Sequence, residues 1–204
     1  MKNEILKIIN EDLKDVEGIE NLIGYLENGT DFFTAPASTI FHGNGEGGLA
    51  EHSLNVYHLL VEEVKISGLG YSQRTLAICG LFHDVCKINY YKKSWKWDKE
   101  HKDKTGEWRK IDAYEVEDNF PVGHGEKSVI MLQRFIKLTD EEILAIRWHM
   151  GCFSPGVHFN YPDGYAYKRA QEMSKLVTLL FMADLKATKI LEVIDTNKIN
   201  SKNK

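Results

Sequence analysis

Four side chains in this sequence stand where a helical pattern asks for apolar ones. His52 lies three residues after Leu49 and four before Val56, on the apolar stripe of its segment. His83 follows Cys79 at i+4 and Leu76 at i+7, His149 follows Ala145 and Ile146, and Asp184 follows Leu180 and Phe181 at the same intervals. Side chains so spaced share one helix face, so these four are expected to project into a bundle interior. A buried, unpaired carboxylate costs several kcal/mol or neutralises itself by a pKa shift. Any one of these residues alone reads as a core histidine or an ion-pair partner, and Asp84 alone as a helix cap. Four helices that each deliver His or Asp inward are best reconciled by a metal ion.

The elements that must position them are mostly helical. Residues 4–27 read as two short helices, with Ile5, Ile8, Ile9 and Leu13 on one face and Ile19, Leu22, Ile23 and Leu26 on another. Leu49 to about Ser67 is a strong helix, Ser72 is the expected N-cap of the next, and periodicity returns at 125–136 and 139–150. Thr139-Asp140-Glu141-Glu142 has the form of a capping box. Between Asn89 and Asn119 the pattern changes to interleaved Tyr, Trp and Lys, which predicts a β-hairpin with strands near 91–98 and 107–116 and a turn at 103–106. Residues 151–168 read as a Gly/Pro/aromatic loop placed to act as a lid, 169–194 as mostly apolar helix with room for one bend, and 197–204 as a flexible polar tail. The expected architecture is mainly α: one helical domain over 1–196, interrupted by a hairpin insertion at 89–119.

In chain order the set is His52, His83-Asp84, His124, His149 and Asp184. With Gly47-Gly48-Leu49-Ala50-Glu51-His52-Ser53, Leu81-Phe82-His83-Asp84-Val85-Cys86-Lys87 and Met182-Ala183-Asp184-Leu185, it resembles the HD superfamily of metal-dependent phosphohydrolases over about residues 47–188. The resemblance implies that His52, His83, Asp84 and Asp184 hold a first metal. His124 and His149 then add a second, with Asp84 bridging the two. It further implies catalytic roles for Asp84 and for Lys87, the latter contacting substrate phosphate. One or two divalent ions are expected, with Mn, Fe, Co or Ni ahead of Mg and zinc a further candidate. Cys86 stands where the family commonly has glycine, and reads as packing rather than as a ligand. The segment around His52 also resembles HD exoribonucleases, but the nucleic-acid-binding barrel expected beside that domain has no room here. A cyclic-di-GMP-degrading branch is disfavoured, because no adjacent His-His pair and no Gly-Tyr-Pro loop occurs.

The implied reaction is attack of a metal-activated hydroxide on the phosphate ester of a nucleotide or nucleotide-like substrate. Besides Lys87, His42 beside the glycine cluster at 43–48 and Arg147 are candidate substrate-binding residues. The alternative is a non-catalytic metal-containing module that binds nucleic acid or a protein through the hairpin. From Lys87 to Lys110 there are nine Lys/Arg against four Asp/Glu, interleaved with Trp95, Trp97 and Trp108. A third reading uses the same ligands for oxygen-dependent chemistry.

Composition bounds these readings. The 204 residues carry a formal net charge of −4, which gives no global attraction to nucleic acid or anionic membrane. The sequence contains no apolar run of membrane-span length, and no signal-peptide core follows Met1. Three cysteines make an odd count unsuited to a disulfide framework, so a compact, soluble protein of the reducing cytoplasm is the expectation.

Overall fold

The fold is that of a computed structural model describing residues 1–39, 43–154, 157 and 162–193. It is mainly helical with one two-stranded sheet. Helices α1 (Lys2–Asp12) and α2 (Ile19–Asn28) open the chain, and their predicted apolar faces bury Ile5, Ile9, Leu22 and Leu26. The long helix α3 (Gly48–Ser67) packs between α4 (Gln73–Phe82) and α9 (Lys175–Lys186). Helix α7 (Asp140–Arg147) covers α4 and α9, and α6 (His124–Gln133) lies on α7. Leu49, Leu60, Ile78, Leu81, Ile146 and Leu180 are fully buried where these helices meet.

The starts of the helices follow their sequence signals. Ser72 Oγ accepts from the backbone N–H of Thr75 at 3.1 Å. Thr139 and Glu142 form the reciprocal capping box, with bonds of 3.2 and 2.9 Å. The predicted helix over 169–194 divides in two: α8 (Pro162–Met173) ends before Ser174, which caps α9. Helix α8 therefore begins inside the segment read as a 151–168 loop. The tail at 197–204 lies outside the described residues.

Two glycines set the interhelical distances that matter at the site. A Cβ on Gly80 would lie 2.5 Å from Tyr57 Cα, so α4 reaches α3 only because that atom is missing. A Cβ on Gly125 would lie 2.1 Å from the Arg147 carbonyl oxygen, and the same holds for α6 on α7.

The hairpin is present, with a difference. Strand β1 (Tyr91–Trp97) pairs antiparallel with β2 (Lys110–Val116), in a register that puts Tyr91 opposite Val116 and Trp97 opposite Lys110. Where a tight turn was expected, a short helix α5 (Lys99–Thr105) intervenes. Asp98 caps it by accepting from His101 N–H at 3.0 Å, and Lys104 pairs with Glu100 one turn back. Gly106 closes it at φ 81°, the left-handed role foreseen for that residue.

Candidate metal centre

The six predicted His and Asp residues come from separate elements and converge. His52 stands on the second turn of α3, and His83 is the C-cap of α4. Asp84 begins the 3-10 turn Val85–Lys87, and His124 opens α6. His149 follows the end of α7, and Asp184 lies in the last turn of α9. Gly80 and Gly125 allow the pairings: the first brings His83 beside His52, the second His124 beside His149, with ring centroids 5.2 and 5.3 Å apart.

Asp84 sits in the middle. Its Oδ1 lies 2.7 Å from His124 Nε2 and 3.4 Å from His149 Nε2. Its Oδ2 lies 3.6 Å from His52 Nε2, 3.7 Å from His83 Nε2 and 2.6 Å from Lys87 Nζ. Asp184 Oδ1 approaches His52 Nε2 at 3.3 Å.

Three imidazoles are oriented from behind. His83 Nδ1 donates to the Gly80 carbonyl at 2.9 Å, and His149 Nδ1 to the Ile146 carbonyl at 2.7 Å. A carbonyl only accepts, so each Nδ1 carries a proton and each ring turns its Nε2 to the cluster. His52 Nδ1 is held by Glu192, whose carboxylate in turn accepts from Asn55 Nδ2 at 2.9 Å. Such outer partners orient ring ligands toward metals.

The residues fit a divalent ion. His149 Nε2 is buried and has no hydrogen-bond partner among the described residues, yet it faces an Asp84 oxygen. A buried Nε2 aimed at a carboxylate oxygen calls for a positive charge between the two, a proton or a metal ion. Ligand atoms of His52, His83 and Asp184, of His83, Asp84 and His149, and of Asp84, Cys86 and His124 form three overlapping groups, each within 4.8 Å.

The model of the HD domain family matches residues 49–188, more than half of the chain and a span that encloses every residue of this cluster. The chain belongs to the HD domain family. HD domains bind divalent metals, and the family is generally one of metal-dependent hydrolases. No curated protein and no solved structure matches the chain.

Burial, hydrogen bonds and neighbouring charges shift the titration of these residues. Burial by itself lowers the His52 pKa, but its hydrogen bonds to Asp184 and Glu192 raise it to about 9. Burial lowers His83 to about 3 and also depresses His124. Burial works to raise Asp84, yet Lys87, His83 and His124 hold it well below the usual carboxylate range. Lys87 is itself raised, because the attraction of Asp84 outweighs its burial.

A cavity of about 380 Å³ opens onto Asp84, His124 and Asp184. Lys87, Lys189, Tyr91, Phe153 and Phe181 also line it. No helix among the described residues is long and apolar enough to cross a membrane.

Not every predicted residue is here. Arg147 does not line the cavity: it pairs with Glu126 at 2.5 Å and lies over the Trp148 ring. It precedes His149 by two positions, and such residues point to different faces of a helix. His42 lies outside the described residues, as does much of the 151–168 segment read as a lid. Cys86 is buried, with Sγ 3.5 Å from both ring nitrogens of His124. Glu192, Asn55 and Lys189 carry no sequence signal, whereas Tyr91 is one of the hairpin aromatics interleaved with lysines. Glu192 follows a π-helical turn (Ala187–Leu191), where no regular helix periodicity could signal it.

Proposed function

We propose that this chain is a metal-dependent phosphohydrolase acting on the phosphate ester of a nucleotide or nucleotide-like substrate. In this reading His52, His83, Asp84 and Asp184 hold one divalent ion, and Asp84, His124 and His149 a second. The observation that carries it is the convergence of oriented Nε2 atoms on Asp84, with that of His149 buried and lacking a hydrogen-bond partner among the described residues. Ions so held supply a water acidic enough to ionise near neutral pH and positive charge for the phosphate oxygens.

The chain's own residues do the rest. Lys87 is held at the cavity wall by Asp84, within reach of a phosphate that enters beside it. Its ammonium group offsets the negative charge that grows on the phosphoryl oxygens in the transition state. Lys189 offers a second cation at the same cavity, and Tyr91, Phe153 and Phe181 a wall on which a base or other flat group packs. The cavity volume lies in the ordinary range for a small-ligand site.

The test is phosphate release by metal-stripped protein reloaded with Mn, Fe(II), Co, Ni, Zn or Mg. Nucleoside mono-, di- and triphosphates and cyclic nucleotides would be offered, with Asp84→Ala in parallel. Metal-dependent release that the variant lacks is expected. Full activity in Asp84→Ala would sink the assignment.

A further inference from the structure

The hairpin carries a surface that the metal site does not use. Strand alternation puts Tyr91, Lys93, Trp95 and Trp97 of β1 on one face, with Lys110, Asp112, Tyr114 and Val116 opposite them on β2. Trp95 is 50% exposed, Trp97 51% and Trp108 49%, so three large indoles face solvent together. They touch one another: Trp95 and Trp97 lie 5.5 Å apart between ring centroids, and Trp97 and Trp108 6.0 Å. Buried aromatics would be explained by packing, but these are not buried.

Cations accompany the rings. Lys110 Nζ lies 3.5 Å from the Trp95 centroid, and Lys102 Nζ 4.2 Å from that of Trp108. The segment from Lys87 to Lys110 carries nine Lys/Arg and four Asp/Glu, a net of +5, so the rest of the chain carries −9. The excess ends at Lys110: Asp112, Glu115, Glu117 and Asp118 follow, so the positive charge belongs to β1, α5 and the first residue of β2. The strip also leads somewhere: Tyr91, at the inner end of the same face, lines the cavity beside Asp84 and Lys87. From Tyr91 to Trp97 is six residues of strand, about 20 Å.

We infer that this face is a binding platform for single-stranded nucleic acid, its bases stacking on Trp95, Trp97 and Trp108 and its backbone contacting Lys93, Lys102 and Lys110. Indole faces accept any unpaired base, and a lysine poised over a ring is a flexible cation that an incoming base displaces toward a phosphate. Apart from Asp112 and Val116, the exposed side chains of the strip are aromatic or cationic, which suits flat, anionic ligands better than an aliphatic protein surface. Delivery of a strand to the cavity rests on the phosphohydrolase reading; binding by the platform does not.

The experiment is fluorescence anisotropy of labelled oligouridylate and oligothymidylate on the full chain, metal-stripped and metal-loaded, with quenching of the exposed tryptophans as a second signal. Saturable, salt-sensitive binding is expected, weakened at least about fivefold for each of Trp95→Ala and Trp97→Ala. Circular dichroism of these surface variants should be unchanged. The platform is overturned if oligonucleotides fail to bind at low salt, or if a duplex binds as well as a single strand. It is equally overturned if the tryptophan variants bind like the wild type, or if the strip instead mediates self-association or attachment to anionic vesicles. Binding without metal-dependent cleavage would leave the platform standing and count only against hydrolysis of the strand.

Discussion

His52 Nδ1 lies 3.1 Å from both carboxylate oxygens of Glu192, a residue 140 positions further along the chain. The carboxylate fixes the ring so that Nε2 points at Asp84 and Asp184, and it raises the basicity of that nitrogen. Replacing Glu192 with Ala should weaken divalent-ion affinity by about 10–100-fold, the usual cost of losing such a partner. Competition with a chelator measures this directly, and Glu192→Gln, which can still accept a hydrogen bond, should recover part of the loss. Wild-type affinity in Glu192→Ala would show that the ring needs no such support.

Lys87 and Asp84 form a buried ion pair, so the ammonium competes with metal for the carboxylate. Lys87→Ala should move two quantities in opposite directions. Divalent-ion binding should tighten, because the competing cation is gone. Turnover should fall by about 100-fold, as when one electrostatic contact to a developing oxyanion is removed. Titration calorimetry and steady-state kinetics on one preparation would separate these effects, and a parallel loss of both would mean that Lys87 only holds the site together.

Much of this centre was legible in the sequence, because helix geometry converts spacing into direction. His52, His83, His149 and Asp184 were visible as polar residues at apolar intervals, and each is at least about nine-tenths buried. Arg147 illustrates the limit: no spacing signal singled it out as a phosphate ligand, and it pairs with Glu126 instead. Glu192 illustrates another, since its position depends on how the chain leaves a π-helical turn, which depends on tertiary packing. Helix α5 had left its signals in plain view. Asp98 as cap, the Glu100–Lys104 pair and the closing glycine are helix marks, but their local chemistry is shared with hairpin turns.

The protonation of the metal-free site predicts a stability optimum. His52 is raised from 6.5 to about 9, so its contribution is complete below pH 6.5 and fades as pH rises through 9. His83 is lowered from 6.5 to about 3, so it favours the folded state above pH 6.5, and that advantage is lost as pH falls toward 3. Chelator-treated protein should therefore melt highest near pH 6.5, as far as these two groups decide it. Metal needs deprotonated ligands, so loading should move the optimum to higher pH and release about one proton at pH 7. Calorimetry in buffers of different ionisation enthalpy counts that proton. Zero release would mean that His52 is neutral before the metal arrives.

Gly80 and Gly125 each permit one half of the cluster, and alanine at either should act on its own half. The added Cβ would lie 2.5 Å from backbone of α3 at Gly80, and 2.1 Å from the Arg147 carbonyl at Gly125. Neither obstacle is a flexible side-chain end, so the helices must separate, at about 1–3 kcal/mol of overpacking. Gly80→Ala parts His83 from His52 and should weaken the group completed by Asp184. Gly125→Ala parts His124 from His149 and should leave that group intact. Urea denaturation gives the stability loss, and metal stoichiometry at saturating ion gives the occupancy. The expected pattern is loss of the second equivalent of metal in Gly125→Ala with the first retained. Equal loss of both would show that the two halves form one indivisible site.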